Sequence, residues 1–177
     1  MIRIGVISDT HFQDLGAGLE FFTDLCRGPF ADVETILHAG DLVHPDLLAC
    51  FDEKPVIGVR GNCDDAVSGL PERRILETAG FHIGLVHGYG SPDLIEENAR
   101  ASFAAEQIDV LVFGHSHYPC CRRQRDLLLF NPGSPTDRRE APFRSVGILE
   151  LSDTVRGKII NLDSAGSTAA DLYGVCS

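Results

Sequence analysis

The segment IRIGVISDTH, residues 2–11, begins with an apolar run rich in isoleucine and ends in Asp9 and His11. Short apolar runs without alternation are typical of strands that are buried on both faces of a sheet. Aspartate and histidine directly after such a run are residues that can bind a metal or a ligand at the strand end. The segment therefore predicts a buried strand at Ile2–Ile7 with chemistry at its carboxyl end.

Four further apolar runs end in the same kind of residue. They are Thr35–Ala39 before Asp41, Pro55–Val59 before Asn62, Phe81–Val86 before His87, and Val110–Phe113 before His115 and His117. Stretches with helical spacing lie between the runs, at Gly18–Arg27, Pro45–Asp52 and Pro92–Gln107. The alternation of strands and helices predicts an α/β fold, in which ligands gather beyond the carboxyl ends of the strands.

The third of these helices carries the most complete signals. Ser91 is suited to cap it, Pro92 fits the first turn, and Ile95, Ala99 and Phe103 recur at four-residue spacing. After Gly114 the pattern changes to strands and turns, which predicts a second sheet. Its strands are expected at Pro119–Arg123, Leu127–Phe130, Ser145–Leu151 and Val155–Leu162.

Composition limits the domain organisation and the partners. The chain has 177 residues, of which 44% are apolar, and its formal net charge is −11. We expect a single domain over 1–162 with packed sheets and outer helices, followed by a flexible tail at 163–177. The negative charge opposes broad binding of nucleic acids and of anionic membranes.

The cysteines and the N-terminal sequence bear on the compartment. Six cysteines are present without CxxC spacing, and no secretory signal or membrane-length apolar run is seen. We therefore expect reduced thiols and a cytoplasmic protein without a membrane partner.

Seven side chains at the strand ends have the chemistry of a metal centre. They are Asp9, His11, Asp41, Asn62, His87, His115 and His117. Imidazole nitrogens and carboxylate oxygens suit Mn, Fe, Co, Ni or Zn, and seven ligands are too many for one tetrahedral zinc. The set predicts two divalent metals. Of the other histidines, His38 is expected to be buried and His82 to lie at a strand edge, whereas a place for His44 in the cleft or at a helix start stays open.

The order of these motifs resembles the calcineurin-like metallophosphoesterase superfamily. Gly61-Asn62-Cys63-Asp64 and the later Asn131-Pro132-Gly133-Ser134 are similar to its small YfcE-like phosphodiesterase subgroup. The resemblance extends from Met1 to about Leu162. It implies a four-layer αββα sandwich, two mixed β-sheets flanked by helices, with a dinuclear metal site at the carboxyl ends of the strands.

The resemblance also implies roles for the site residues. One metal would be bound by Asp9, His11 and His117, the other by Asn62, His87 and His115, and Asp41 would bridge the two. Asn62, Cys63 and His87 would be the catalytic residues, and no organic cofactor is expected. The implied reaction is hydrolysis of a small phosphodiester by a hydroxide that bridges two divalent ions, with Mn as the first choice and Fe, Ni, Co or Zn as alternatives. A homo-oligomer stays open.

One residue departs from the pattern of many superfamily members. Cys63 stands where they carry a histidine that assists the leaving group, so the proton donor is open, with His44 and Asp64 as candidates. Five arginines are candidates to bind phosphate, namely Arg60, Arg122, Arg123, Arg138 and Arg139. Asn131 is expected to support the metal loops.

Two other functions remain to be weighed. A retromer subunit has the same fold with a degraded metal site and serves as a scaffold, but the complete ligand set here favours an enzyme. A phosphomonoesterase or protein phosphatase would use the same chemistry. The Gly-Asp-x-Val-Asp-Arg-Gly pattern of the phosphatases is absent, because Leu42, Val43 and His44 follow Asp41.

Overall fold

Eleven strands and three α-helices make up the part of the chain that the computed structural model describes, residues 1–44, 46–50, 53–164 and 172–176. The strands are β1 (Ile2–Ile7), β2 (Thr35–His38), β3 (Val56–Gly58), β4 (Arg73–Thr78), β5 (Phe81–Val86), β6 (Val110–Val112), β7 (Cys120–Gln124), β8 (Leu127–Asn131), β9 (Ser145–Leu151), β10 (Val155–Asn161) and β11 (Leu172–Cys176). The helices are α1 (Leu15–Arg27), α2 (Asp46–Cys50) and α3 (Ile95–Ala101).

The strands form two mixed sheets. The six-stranded sheet has the order β11-β10-β9-β1-β2-β3, and the five-stranded sheet has the order β4-β5-β6-β8-β7. Strands β1, β2 and β3 run parallel in the first sheet, and β5, β6 and β8 run parallel in the second. Their carboxyl ends therefore form one edge of each sheet, as the predicted site requires.

The prediction that the strands after Gly114 form a sheet of their own is wrong. β9 pairs antiparallel with β1 in the register Ile4↔Leu149, whereas β8 pairs parallel with β6 in the register Leu111↔Leu129. Six of the seven residues of β9 are buried, so both faces of this strand must be covered. The strand accordingly lies inside the six-stranded sheet, next to β1.

Alternate side chains of the strands pack into different layers. Val6 of β1 and Leu37 of β2 meet Leu85 of β5 and Phe130 of β8 in the core between the two sheets. All four are fully buried, and each such side chain stabilises the fold by about 1.5–3 kcal/mol.

Helices cover the outer faces of both sheets. Ile7 and Ile36 pack against Phe22 of α1, while Leu111 of β6 packs against Ala99 of α3. These three separate clusters define a four-layer αββα sandwich, and the predicted fold class is confirmed.

Helix α3 is shorter than the pattern predicts. It begins at Ile95 rather than Pro92, and Ser91 caps no helix; its carbonyl accepts a hydrogen bond from the Leu94 amide at 2.8 Å, which closes a turn. Phe103 lies beyond the helix end but is still buried, because further turns carry it back onto the sheet. Apolar spacing predicted the buried face correctly, since short turns preserve a similar spacing to an α-helix.

Two strands were not predicted. β4 is mostly exposed and rich in Arg and Glu, and it pairs with β5 through a turn at Ala79 and Gly80, which have φ angles of 53° and 80°. β11 lies within the segment expected to be a flexible tail; of that segment, residues 165–171 and 177 lie outside the described residues.

A disulfide joins β7 to β11. It links Cys121 and Cys176, whose Cα atoms are 5.9 Å apart, so the expectation of reduced thiols is wrong for this pair. Spacing along the sequence showed no pairing, because the two strands meet only where the edges of the two sheets approach each other. Among the described cysteines, Cys26, Cys63 and Cys120 are free. No helix in the described ranges has the length and apolar character needed to cross a membrane.

Candidate metal centre

The loops after five parallel strands meet at one edge of the sandwich. The loops after β1, β2 and β3 carry Asp9, His11, Asp41 and Asn62, and those after β5 and β6 carry His87, His115 and His117. The structure thus brings together side chains from both sheets. All seven predicted ligands lie in one connected cluster, and their individual roles as metal ligands stay predictions.

One half of the cluster is formed by Asp9, His11 and His117. His117 Nε2 lies 3.4 Å from Asp9 Oδ1 and 3.2 Å from His11 Nε2. The three side chains can bind one metal ion, because one ligand atom of each lies within 4.8 Å of the others.

The other half is formed by Asn62, His87 and His115. Asn62 Oδ1 lies 3.1 Å and His115 Nδ1 lies 3.3 Å from His87 Nε2. Asp41 stands between the halves, since its Oδ2 is 3.4 Å from His87 Nε2 and 3.7 Å from His11 Nε2. A carboxylate in this place can contact ions on both sides.

Three of the histidines are oriented by backbone carbonyls. His87 Nδ1 lies 2.7 Å from the Ala39 oxygen, His115 Nε2 lies 3.2 Å from the Gly90 oxygen, and His117 Nδ1 contacts the Asp137 oxygen. A ring nitrogen that faces a carbonyl carries the proton, which leaves the other nitrogen with a free lone pair. In each case that second nitrogen faces the cluster, an arrangement typical of histidines that bind metals.

The chemistry of the donor set fits divalent cations. Asp9 Oδ1 is buried and has no hydrogen-bond partner, although buried carboxylate oxygens are normally satisfied. His117 Nε2 and His87 Nε2 face this oxygen at 3.4 and 3.9 Å. A cation among these lone pairs would satisfy all of them, so the residues present fit the metals that the motifs imply.

The titratable groups of the cluster influence one another. Burial alone would raise the pKa of Asp9 and of Asp41, but the neighbouring histidines, His117 and His87 for Asp9 and His87 for Asp41, hold both below the usual value. Burial lowers and the two carboxylates raise the pKa of His87, with a net increase. Burial and the nearby His87 lower the pKa of His115. The carboxylates are therefore charged at neutral pH and available to cations.

Backbone strain accompanies the cluster. Five of the seven residues have positive φ angles: Asp9, His11, Asp41, His115 and His117, at 49° to 66°. Left-handed backbone is uncommon for residues other than glycine and is found where function requires it. Gly61 and Gly114 allow neighbouring loops to approach each other closely. A Cβ at Gly61 would collide with Asp41, and one at Gly114 would collide with Ser8 and Asp9.

Asp64 is a residue whose role the sequence did not indicate. Its carboxylate accepts hydrogen bonds from the amides of Gly61, Asp41 and Val43 at 2.7 to 2.9 Å. It therefore connects the loops after β2 and β3. The three hydrogen bonds give Asp64 a role in fixing the two loops, and its role as the proton donor considered above stays a prediction.

The end of β8 and the segment after it support the loops that follow β1 and β6. Asn131 Nδ2 donates to the Gly114 oxygen at 3.0 Å, and Ser134 Oγ donates to the Asp9 oxygen at 2.8 Å. The supporting role expected of Asn131 agrees with these contacts. In the sequence, Ser134 was noted only as part of the Asn131-Pro132-Gly133-Ser134 motif, because nothing in that motif shows that the segment after β8 meets the loop after β1.

The remaining histidines and Cys63 occupy different positions. His38 is fully buried, as expected, with Nε2 3.0 Å from Thr10 Oγ1, and burial lowers its pKa to about 3. His44 lies before α2, 3.9 Å from Asp46, and His82 is half exposed at the start of β5. Cys63 adjoins the cluster through its amide, which donates to Asp41 Oδ1 at 2.7 Å.

Four of the five candidate arginines are paired with groups outside the cluster. Arg60 pairs with Glu72 and Arg122 with Glu96, whereas Arg123 and Arg138 donate to backbone carbonyls. Arg139 is the exception, since its Nη1 donates to the His115 oxygen at 3.3 Å. Of the five, Arg139 is therefore best placed to meet a phosphate.

An αββα sandwich with this histidine and carboxylate cluster at its strand ends can hold metal ions of the kind that activate water in hydrolases. Residues 2–154 match the model of the calcineurin-like phosphoesterase superfamily domain. The chain belongs to this superfamily, which confirms the resemblance, and it is a hydrolase that acts on phosphoester bonds.

Named relatives agree with the family. A probable metallophosphoesterase of Methanothermobacter thermautotrophicus is 41% identical over 135 residues, covering 75% of this chain and 77% of the relative. Phosphodiesterase YfcE of Escherichia coli K12 is 31% identical over 104 residues, covering 54% and 52%.

Solved structures agree with the fold. The structure of YfcE, a phosphoesterase from E. coli, has a TM-score of 0.72 at 20% identity and covers 99% of this chain and 98% of its own. Vps29 from Entamoeba histolytica complexed with Zn²⁺ has a TM-score of 0.68 at 23% identity, covering 93% and 95%.

Proposed function

We propose that the chain is a phosphodiesterase that uses two divalent cations, with Mn²⁺ as the first choice. The observation that carries the proposal is the orientation of His87, His115 and His117 by backbone carbonyls, which leaves one free nitrogen of each ring facing the cluster. Those of His87 and His117 face the orphaned oxygen of Asp9. Histidines that only filled the core would not need free nitrogens that face the same place. The name of the relative YfcE supports a diester as the substrate.

The ligand assignment follows the two halves of the cluster. Asp9, His11 and His117 would hold one cation, Asn62, His87 and His115 the other, and Asp41 both. When bound, the two cations supply a hydroxide nucleophile near neutral pH and stabilise negative charge on the phosphoryl oxygens. Arg139 adds positive charge beside His115.

The proposal is tested by measuring hydrolysis with a matched pair of variants, one at each end of β5. The Mn²⁺-loaded protein is assayed on bis-p-nitrophenyl phosphate and on p-nitrophenyl phosphate, and the assay is repeated with Fe, Co, Ni and Zn. We expect the diester to be hydrolysed faster. His87→Gln should lose at least about 100-fold in kcat/KM, as is usual when a metal ligand is removed.

His82→Gln is the control, because His82 lies at the opposite end of β5 and outside the cluster. It should retain full activity. Hydrolysis of the monoester alone would indicate a phosphomonoesterase, and no hydrolysis with any of these metals would indicate the scaffold alternative, for which the Vps29 likeness provides a precedent in fold. Either result overturns the proposal.

A further inference from the structure

An apolar cavity of about 460 Å³ lies beside the metal cluster. His115 forms the wall that the cavity shares with the cluster, and Pro92, Ile95, Phe113 and Tyr118 are among the other lining residues. Its size is within the range of about 300–1,000 Å³ that is usual for small-molecule sites. A group attached to a phosphate at the cluster can therefore extend directly into this cavity.

The charges around the cavity favour a neutral occupant. Arg139 pairs with Asp137 at 3.9 Å, and Glu140 adds a negative charge to the lining. Glu96 is already paired with Arg100 and Arg122. The lining has no surplus positive charge to bind a second phosphate, whereas its apolar side chains gain from the burial of apolar surface.

A second cavity, on the other side of His87, has a different character. It measures about 330 Å³, and Arg60, Asn62, Arg73 and Tyr89 contribute to its lining. The two arginines pair with Glu72 and Glu106, so this cavity offers polar groups. The cluster therefore has an apolar cavity on one side and a polar cavity on the other.

We infer that the apolar cavity binds the uncharged aromatic or aliphatic arm of an asymmetric phosphodiester whose phosphate lies at the cluster. The inference rests on the proposed function and names the substrate class. Tyr118 is the specificity-determining residue at the rim: it is 50% exposed in the free protein, and its ring can cover an aromatic arm.

Ligands with a single arm test the inference without hydrolysis. Calorimetry of the Mn²⁺-loaded protein measures the affinity for phenylphosphonate and for methylphosphonate, which present the same charge and differ in the arm. We expect phenylphosphonate to bind roughly tenfold more tightly, the effect of burying a small apolar group. Tyr118→Ala should abolish most of this preference, and Tyr118→Phe should retain it.

Tyr89→Ala is the matched control, because Tyr89 is 60% exposed and lines the polar cavity instead. It should leave the ratio of the two affinities unchanged. Equal affinities for the two phosphonates, failure of both to bind, or equal effects of Tyr89→Ala and Tyr118→Ala would overturn the inference. Hydrolysis of bis-p-nitrophenyl phosphate by the same preparation would show that the proposed function still stands.

Discussion

At the scale of single residues, Cys63 stands where the resemblance to the superfamily implies a histidine in many members. Burial and the hydrogen bond with Asp41 raise the pKa of the Cys63 thiol to about 11. The thiol is therefore neutral at physiological pH and a weak proton donor. Cys63 therefore gives the leaving group no strong acid, and the proton donor stays open between His44 and Asp64.

The first prediction concerns the leaving group. Without a strong acid, departure of a basic alkoxide limits turnover, whereas an acidic phenol leaves without help. We expect aryl diesters to be cleaved at least about 100-fold faster than alkyl diesters, on the usual scale of general acid catalysis. Cys63→His should make the dependence of kcat on leaving-group pKa less steep. Equal aryl and alkyl rates in the parent protein would show that another acid acts, and His44 would be examined next.

The second prediction concerns pH and His38. Its pKa is about 3 in the folded protein and about 6.5 when unfolded, so between these two pH values mainly the unfolded state binds this proton. The contribution of neutral His38 is therefore complete above pH 6.5 and is lost as the pH falls from 6.5 toward 3.

Urea unfolding of the metal-free protein measures this contribution. The slope of the unfolding free energy against pH should be about 1 kcal/mol per pH unit larger for the parent than for His38→Gln between pH 6 and 4. Parallel slopes would show that His38 takes up its proton in the folded state.

At the scale of elements, the apolar runs predicted the strands more reliably than the helices. β1, β5 and β9 begin and end where their sequences predict, because buried strands are continuous apolar segments bounded by polar residues. β4 was missed because its side chains are mostly exposed. α3 was predicted too long because turns at Ser91–Leu94 and after Ala101 continue the same apolar face.

The same limit applies to the site. Its seven predicted ligands each follow an apolar run, and that position is visible in the sequence. Asp64, Ser134 and the left-handed angle of Asp41 depend on which loops adjoin, and the sheet order decides this. The place of β9 in the six-stranded sheet could not be predicted from the sequence either, because pairing between strands that are distant in sequence leaves no local periodicity.

The third prediction concerns the loops after β2 and β3, which Asp64 connects. Asp64→Asn keeps the shape but turns an amide N–H toward a backbone N–H. We expect a loss of about 1–3 kcal/mol in the free energy of unfolding and a roughly 10–100-fold weaker binding of Mn²⁺, because Asp41 loses its support.

Asp126→Asn, at an exposed carboxylate between β7 and β8, is the control and should change neither quantity. Calorimetric Mn²⁺ titration and urea unfolding measure both effects. Unchanged metal affinity in Asp64→Asn would show that the loop conformation does not depend on this carboxylate.

At the scale of the whole molecule, the cluster joins the two sheets. Asp9, Asp41 and Asn62 come from the loops of one sheet, and His87, His115 and His117 from those of the other. Their contacts cross the edge of the sandwich, for example the 3.0 Å hydrogen bond from the His115 amide to Asp9 Oδ2. Cations bound here would connect both halves of the fold.

The last prediction follows from that connection. A cation that binds only the folded protein stabilises it by about 2.7 kcal/mol at a concentration 100 times its dissociation constant, and two sites add to this effect. For a chain of this size each kcal/mol raises Tm by about 2–4 °C. Chelation with EDTA should therefore lower Tm by roughly 5–10 °C, and added Mn²⁺ should restore it. Asp9→Asn should show a much smaller response, since the oxygen that lacks a partner is changed. If EDTA and Mn²⁺ leave the Tm of the parent protein unchanged, the seven side chains bind no cation strongly enough to join the two sheets.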